Sequence, residues 1–220
     1  MKRFLNWLEK LLPRYAWVPL ICVGGFNALV FWGSRLINTR MTHLDLSTAL
    51  DARIPLVPEA IIMYLLAYFT WAANYILIMR DSREKCYRLA VGNCLAKLIC
   101  LVCFIVIPTS MQRPEVTGSG LCVWLVRFIY WIDPADNLFP SIHCLENWIG
   151  WRGMFGCKSI PRWVKACSFL AAILVFASTV LIHQHLLVDV PAGMLAAEIG
   201  LLTAGPLMPV LKKVLKGRKT

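Results

Sequence analysis

The hydrophobic and polar positions of this chain alternate in long blocks. Five apolar runs are about as long as a helix needs to be to cross a bilayer, and a sixth run is interrupted by polar side chains. The six runs are residues 16–34, 57–79, 89–108, 138–157, 166–183 and 189–210. This pattern predicts an all-α, polytopic membrane protein with a six-transmembrane-helix bundle.

Two stretches depart from the simple pattern. The fourth run, 138–157, carries His143, Glu146 and Asn147, and polar groups at membrane depth are costly and usually functional. The stretch 121–133 is apolar but too short to span, so we expect it to be interfacial or re-entrant.

The ends of the chain carry most of the remaining charge. In residues 1–15, apolar side chains recur at helical spacing with charges between them. This arrangement predicts an N-terminal amphipathic helix lying on the membrane surface, ended by Pro13. Residues 16–210 then form one membrane domain, and residues 211–220 form a basic cytoplasmic tail.

The composition is typical of a membrane protein, and the distribution of charged residues predicts its orientation in the membrane. Of the 220 residues, 59% are hydrophobic and 16% are charged, whereas soluble domains are nearer half apolar and a quarter charged. The net charge of +11 comes from 23 Lys and Arg, and 17 of these fall on one side of the predicted spans. The positive-inside rule therefore places both termini in the cytoplasm. Basic groups beside anionic lipid headgroups explain the charge without a nucleic-acid partner.

Histidine is rare here, and three of the four histidines fall where predicted spans meet the outer surface. His143, His183 and His185 have these positions, whereas His43 lies in the first outer loop. His185 and Asp189 are four residues apart, which places them on one face if the segment is helical. An aspartate on one imidazole nitrogen makes the other nitrogen a better nucleophile. The alternative is an ordinary hydrogen bond on a helix surface.

Two further short motifs carry groups that suit a phosphate. Pro140-Ser141-Ile142-His143 has the form of a helix N-terminus, where free N–H groups bind phosphate and His143 could donate a proton. The alternative is a helix cap with an incidental histidine. Arg113-Pro114 follows the third span on the same side. Its guanidinium suits phosphate, although it could equally anchor the helix end at the interface.

In order, spacing and sidedness, these motifs resemble those of the type 2 phosphatidic acid phosphatase superfamily. That family has three signatures, K-x6-R-P, P-S-G-H and S-R-x5-H-x3-D. Here the first ends in Arg113-Pro114, the second reads Pro140-Ser141-Ile142-His143, and the third reads Ser178-Thr179, five residues, His185, three residues and Asp189. The resemblance covers roughly residues 85–210.

The resemblance implies a role for each matching residue. His185 would be the nucleophile that forms a phosphohistidine, Asp189 its supporting acid and His143 the general acid. The implied substrate-binding positions are Pro140, Arg113, Ser141, Ser178, Thr179 and His183. The family works without a metal or cofactor, so none is expected here. The implied partners are the bilayer and a lipid phosphate or phospholipid, and the oligomeric state stays open.

Three departures from the signatures bear on the substrate. Val106 replaces the first-motif lysine, Thr179 replaces the third-motif arginine, and Ile142 replaces the second-motif glycine. Two expected phosphate cations are therefore missing, which suits a phosphodiester with one negative charge better than a dianionic phosphomonoester. Arg127 could compensate if the stretch 121–133 folds back towards the site.

These features lead to two main hypotheses for function. The first is a lipid phosphatase acting at the extracytoplasmic face of a cell membrane. The second is a phospholipid headgroup phosphotransferase, because the third motif also resembles those of inositol phosphorylceramide synthases and sphingomyelin synthases. Two further alternatives are a metal site built from His143, His183, His185 and Asp189, and an inactive scaffold or transporter. A transporter would suit a charge pair within the membrane, for which only Lys97 stands out in the sequence.

Overall fold

A computed structural model describes residues 12–217, with side chains described through residue 210 and at 213. The part of the chain described is helical, without strands, and has two isolated backbone bridges. The helices are α1 (Arg14–Asn38), α2 (Ile61–Asp81), α3 (Arg83–Val106), α4 (Leu121–Ile132), α5 (Ile142–Gly153), α6 (Arg162–Leu181) and α7 (Asp189–Gly217). Helix α1 is not uniform, because residues Leu29–Gly33 form a π-helical turn within it.

Five helices are long and apolar enough to cross a membrane. They are Arg14–Asn38, Pro58–Asp81, Arg83–Val106, Arg162–Leu181 and Asp189–Val210. Large apolar side chains such as Leu36, Phe69 and Leu202 are exposed on their outer faces, whereas polar side chains such as Asn93 and Lys97 are buried between them. This distribution is typical of a bundle surrounded by lipid. The predicted all-helical membrane bundle is therefore confirmed.

The structure of the fourth apolar run differs from the prediction. Residues 138–157 do not form one long helix, because α5 covers only Ile142–Gly153, or about 18 Å. The chain before it is irregular and contains a cis Phe139–Pro140 bond, and the chain after it turns at Gly156, where φ is +75°. Proline and glycine thus limit this helix at both ends.

The other predicted segments agree with the structure in part. Helix α4 is a short apolar helix within the stretch expected to be interfacial or re-entrant. Helix α7 continues past residue 210 to Gly217. The amphipathic helix predicted for residues 1–15 lies outside the described residues except for its last four positions.

Close backbone approaches hold the helices that carry the histidine motifs. A Cβ on Gly193 of α7 would meet the carbonyl oxygen of Ser141, and a Cβ on Gly200 would meet that of Gly92 in α3. Glycine at these positions lets α7 pack directly against the start of α5 and against α3. The Ser141 N–H also donates to the Asp189 carbonyl at 3.2 Å. These contacts fix the first turns of α5 and α7 beside each other.

The connections at one end of the bundle are joined to one another. The Val57 N–H donates to the Leu181 carbonyl at 2.9 Å, and the Leu187 N–H donates to the Asp51 carboxylate at 2.8 Å. The long loop 39–57 therefore supports the turn 182–188, which carries His183 and His185.

Candidate active site

A cavity of about 230 Å³ opens at this end of the bundle. Its wall is formed by α1, α2, the last residue of α4 and the linker that follows it, the first turns of α5, and the turn 182–188. Of the predicted site residues, His143 and His185 line it. The π-helical turn in α1 contributes Phe31 and Trp32, and α2 contributes Ala67, Tyr68 and Trp71.

The protonation of His185 follows from its contacts. Its Nδ1 lies 3.1 Å from the carbonyl oxygen of Leu138 and 3.3 Å from Oδ2 of Asp189. A carbonyl oxygen can only accept, so Nδ1 carries the hydrogen and donates it. In the neutral ring, Nε2 then has the free lone pair. His185 is therefore held in the tautomer that a nucleophile requires.

Asp189 is fixed by the same turn and is fully buried. It is the first residue of α7, and its Oδ2 also accepts the N–H of Leu186 at 2.8 Å. The prediction placed His185 and Asp189 on one helical face. They do meet, but His185 lies in the turn before the helix and not within it.

His143 lies in the first turn of α5 and faces His185 across the cavity. The two ring centroids are 5.7 Å apart. The Tyr68 hydroxyl lies 3.1 Å from Nε2 of His143, and the Tyr64 ring packs on the imidazole with centroids 4.6 Å apart. Two tyrosines of α2 thus orient the imidazole that was predicted to be the general acid.

Several predicted phosphate-binding residues have structural partners instead. The Ser141 hydroxyl caps α5 by accepting the Cys144 N–H at 3.3 Å, and Pro140 is buried beside it. The Ser178 and Thr179 hydroxyls donate to carbonyls of their own helix at 2.7 and 2.8 Å. The capping prediction for Ser141 is therefore confirmed, but these side chains do not line the cavity.

Arg113 is also engaged by the protein. Its Nε donates to the His183 carbonyl at 3.2 Å, Nη1 donates to the Asp133 carbonyl at 2.7 Å, and Nη2 donates to Oε1 of Gln184 at 2.5 Å. The guanidinium carbon lies 4.4 Å from the centre of the Tyr130 ring. Burial lowers the pKa of Arg113, although a guanidinium stays charged at neutral pH. Arg113 therefore holds the turn 182–188 from behind.

Two other predicted candidates lie away from the cavity. His183 has a left-handed backbone (φ +48°) and lines a separate pocket with Asp45 and Asp51. Burial lowers the pKa of its imidazole. Arg127 donates to the Val116 and Gly118 carbonyls, so it does not replace the missing cations. Because His183 lines a different pocket from His143 and His185, the four residues of the alternative metal site do not converge. Among the side chains that the structure describes, no group of at least three His, Cys, Asp or Glu could hold a metal ion.

A buried ion pair lies below the catalytic candidates. Lys97 of α3 contacts Oε1 of Glu146 at 2.5 Å, and both side chains are almost completely buried. Tyr75 and Asn93 donate to the other carboxylate oxygen at 2.6 and 2.9 Å. In the sequence only Lys97 stood out as a candidate for a charge pair within the membrane, and the structure shows that Glu146 is its partner. Glu146 lines the cavity one helical turn from His143.

Sequence reasoning missed two residues that shape the cavity. Tyr68 lies in an apolar run with no motif around it, so nothing in the sequence marks it. Gln184 lies between His183 and His185 in the sequence, and it lines the cavity beside His185. Its position between two histidines was the available indication.

Comparison with known proteins does not indicate a function for this chain, so a function can be inferred only from the sequence motifs and the geometry of the site. Neither the known protein families nor the curated protein sequences gave a match to this chain. The fold and the site define a class, a helical membrane protein in which two histidines face each other across a cavity at one end of the bundle.

Proposed function

We propose that this protein is a membrane-embedded lipid phosphatase that works through a phosphohistidine at His185. The observation that carries the proposal is the tautomer of His185, whose Nδ1 is bound by Leu138 and Asp189 while the ring faces His143. A histidine held in this way is a nucleophile, and a second histidine across the cavity is in position for acid–base catalysis.

The proposed reaction has two steps. Nε2 of His185 attacks phosphorus, the bond from phosphorus to the lipid oxygen breaks, and His143 gives that oxygen a proton. Asp189 stabilises the positive charge that develops on His185. A water oxygen then attacks phosphorus, His143 takes its proton, and the nitrogen–phosphorus bond breaks. His185 returns to its neutral form, and neither step uses a metal ion.

The mouth of the cavity supports a lipid as the substrate. Trp32 of α1 is 59% exposed and Tyr68 of α2 is 45% exposed, and both line the cavity. Aromatic side chains between two spanning helices suit a substrate that enters from the bilayer with its acyl chains still in lipid.

The contacts at the two ends of the bundle support six crossings with the site on the extracytoplasmic side. Helix α5 begins beside the 182–188 turn and ends where the Phe155 carbonyl accepts from Lys85, near the start of α3. It therefore joins the same two ends as the five long helices. Six crossings place both termini on one side, which is the side with most Lys and Arg.

A second candidate is transfer of a phospholipid headgroup to an alcohol. The charged side chains among the described residues lining the cavity are Asp133, Asp136 and Glu146. Arg35 pairs with the first two and Lys97 with the third. The cavity thus has no excess positive charge, which suits a monoanionic phosphodiester better than a dianion. The same phosphohistidine would form, and an alcohol would replace water.

Product analysis separates the two candidates. We would supply purified protein in detergent with labelled phosphatidic acid, an isoprenyl pyrophosphate or labelled diester phospholipids, with and without an alcohol acceptor, in excess chelator. Free inorganic phosphate identifies a phosphatase, and a label on the acceptor identifies a transferase.

Substitution of the nucleophile checks the shared chemistry. His185→Ala should abolish turnover, whereas the matched variant His43→Ala should retain it because His43 does not line the cavity. Turnover by His185→Ala would refute the mechanism, and loss of turnover in chelator alone would refute the metal-free scheme.

A further inference from the structure

The side chain of Gln184 is buried beside His185, and only one of its two polar atoms has a hydrogen-bond partner among the described residues. It is 2% exposed and lines the cavity. Its Oε1 accepts from Arg113 at 2.5 Å, but no group among the described residues accepts from its Nε2. A buried donor without an acceptor is unfavourable and therefore calls for an explanation.

The orientation of this amide is determined by Arg113. A guanidinium has only donors, so the amide oxygen must face it and the amide nitrogen is the group left without a partner. The backbone is held as well, because the Gln184 N–H donates to the Thr179 carbonyl at 2.9 Å. Gln184 is thus a rigid residue with an unused N–H donor, next in sequence to His185.

We propose that Nε2 of Gln184 donates a hydrogen bond to an oxygen of the phosphoryl group that His185 attacks. The proposal rests on the proposed function. It assigns Gln184 as a substrate-binding residue and Arg113 as the positioning residue behind it. A preorganised donor beside the nucleophile stabilises the negative charge that the transition state spreads over the phosphoryl oxygens.

This assignment also accounts for two of the departures from the family signatures. Val106 and Thr179 cannot provide the two missing cations, and Arg113 directs three of its N–H groups to the protein. In this arrangement the neutral amide of Gln184 contacts the phosphoryl oxygen in place of a cationic side chain. The charge of Arg113, which contacts the amide oxygen, polarises that amide.

Gln184→Glu separates this role from a purely structural one. A carboxylate keeps the acceptor that Arg113 requires, so a structural role predicts unchanged folding and turnover. A binding role predicts a loss, because the donor becomes an acceptor that repels a phosphoryl oxygen. Gln112→Glu is the matched control, since it makes the same change at an exposed position next to Arg113.

The experiment measures kcat and KM in detergent with phosphatidic acid and with its monomethyl diester, together with the thermal unfolding midpoint. We expect Gln184→Glu to lower kcat/KM by roughly 10- to 100-fold on whichever lipid the wild type turns over. We expect no loss of thermal stability, and Gln112→Glu should match the wild type. If Gln184→Glu does not fold, Gln184→Met removes the donor together with the acceptor for Arg113. We expect it to lower kcat/KM, and wild-type kcat/KM in the folded Gln184→Met protein would overturn the role of Gln184.

The outcomes distinguish the two proposals. Wild-type kcat/KM in a folded Gln184→Glu protein would overturn the role of Gln184 and leave the phosphohistidine mechanism standing. Absence of turnover and of phosphohistidine in the wild type on both lipids would overturn the proposed function, and the role of Gln184 with it.

Discussion

Replacing Asp189 by asparagine tests the charge beside the proposed nucleophile. Oδ2 of Asp189 lies 3.3 Å from Nδ1 of His185. Both side chains are buried, so solvent screens the interaction only weakly. When Nε2 attacks phosphorus, the imidazole of His185 gains a positive charge that the carboxylate attracts.

The geometry sets the size of the expected effect. Two unit charges 3.3 Å apart attract each other by about 5 kcal/mol at an effective dielectric constant of ~20. Asparagine keeps an oxygen for the Leu186 N–H, and the Leu138 carbonyl still accepts from Nδ1, so the fold and the tautomer are retained. Because the ring carries only part of its charge at the transition state, we expect phosphohistidine formation to slow by about 1000-fold.

A rapid-quench assay measures this step directly. A lipid with a radiolabelled phosphoryl group would leave acid-labile label on the protein, and the rate of labelling would be compared between the wild type and Asp189→Asn. Asp45→Asn is the control, because Asp45 is exposed and, among the described residues, its carboxylate accepts only from the nearby Ser47 N–H. Wild-type labelling by Asp189→Asn would refute the electrostatic reasoning.

Three further substitutions test the support around the site. Lys97→Met should lower stability by about 3–5 kcal/mol, because it leaves the buried Glu146 carboxylate unpaired; the check is thermal unfolding in detergent, where adding Glu146→Gln should recover part of the loss. For Asp51, burial alone would raise the pKa, but hydrogen bonds from the Leu187 N–H and Thr48 outweigh it and lower the pKa. Its folded pKa is then below its unfolded value, so its stabilisation is full above roughly pH 4 and is lost as the pH falls through the folded pKa. The difference in unfolding free energy between the wild type and Asp51→Asn should therefore be constant near neutral pH and should shrink in acid. Gly193→Ala should lower stability by about 1–3 kcal/mol and reduce turnover, because its Cβ would push α7 away from Ser141.

Each of these predictions has a result that contradicts it. Additive losses from Lys97→Met and Glu146→Gln would mean that the two side chains do not act as a pair. If the difference in unfolding free energy between the wild type and Asp51→Asn grew in acid, that result would contradict the sign of the pKa shift. Gly205→Ala is the control for Gly193→Ala, because its Cβ would meet only the Arg88 side chain at an ordinary 3.8 Å; equal losses in the two would contradict the packing argument.

The spanning helices could be predicted because their cause is local. A run of about 20 apolar residues is recognisable from the residues themselves, and a helix satisfies its own backbone groups. The contact between His185 and Asp189 was predictable for a similar reason, since only three residues separate them. The fourth span was predicted too long because its apolar character continues beyond the points where Pro140 and Gly156 change the backbone direction.

The roles of individual polar groups depended on partners far away in sequence. Arg113 was predicted to bind phosphate, yet its donors reach a carbonyl 70 residues away, a carbonyl 20 residues away and an amide 71 residues away. Lys97 and Glu146 were each visible as costly polar residues, but only the packing of α3 against α5 shows that they are paired.

The sequence by itself thus determined the class of protein, the number of long apolar helices and the two histidines that face the cavity. The tertiary structure decided which polar groups are available to a substrate and which are already engaged by the protein. The physical reason is that burial in a helix follows from the residues of that helix, whereas a hydrogen bond between loops exists only when the whole bundle brings donor and acceptor within about 3 Å. Gln184 shows the difference, since its place beside His185 is visible in the sequence but the direction of its amide is set by Arg113.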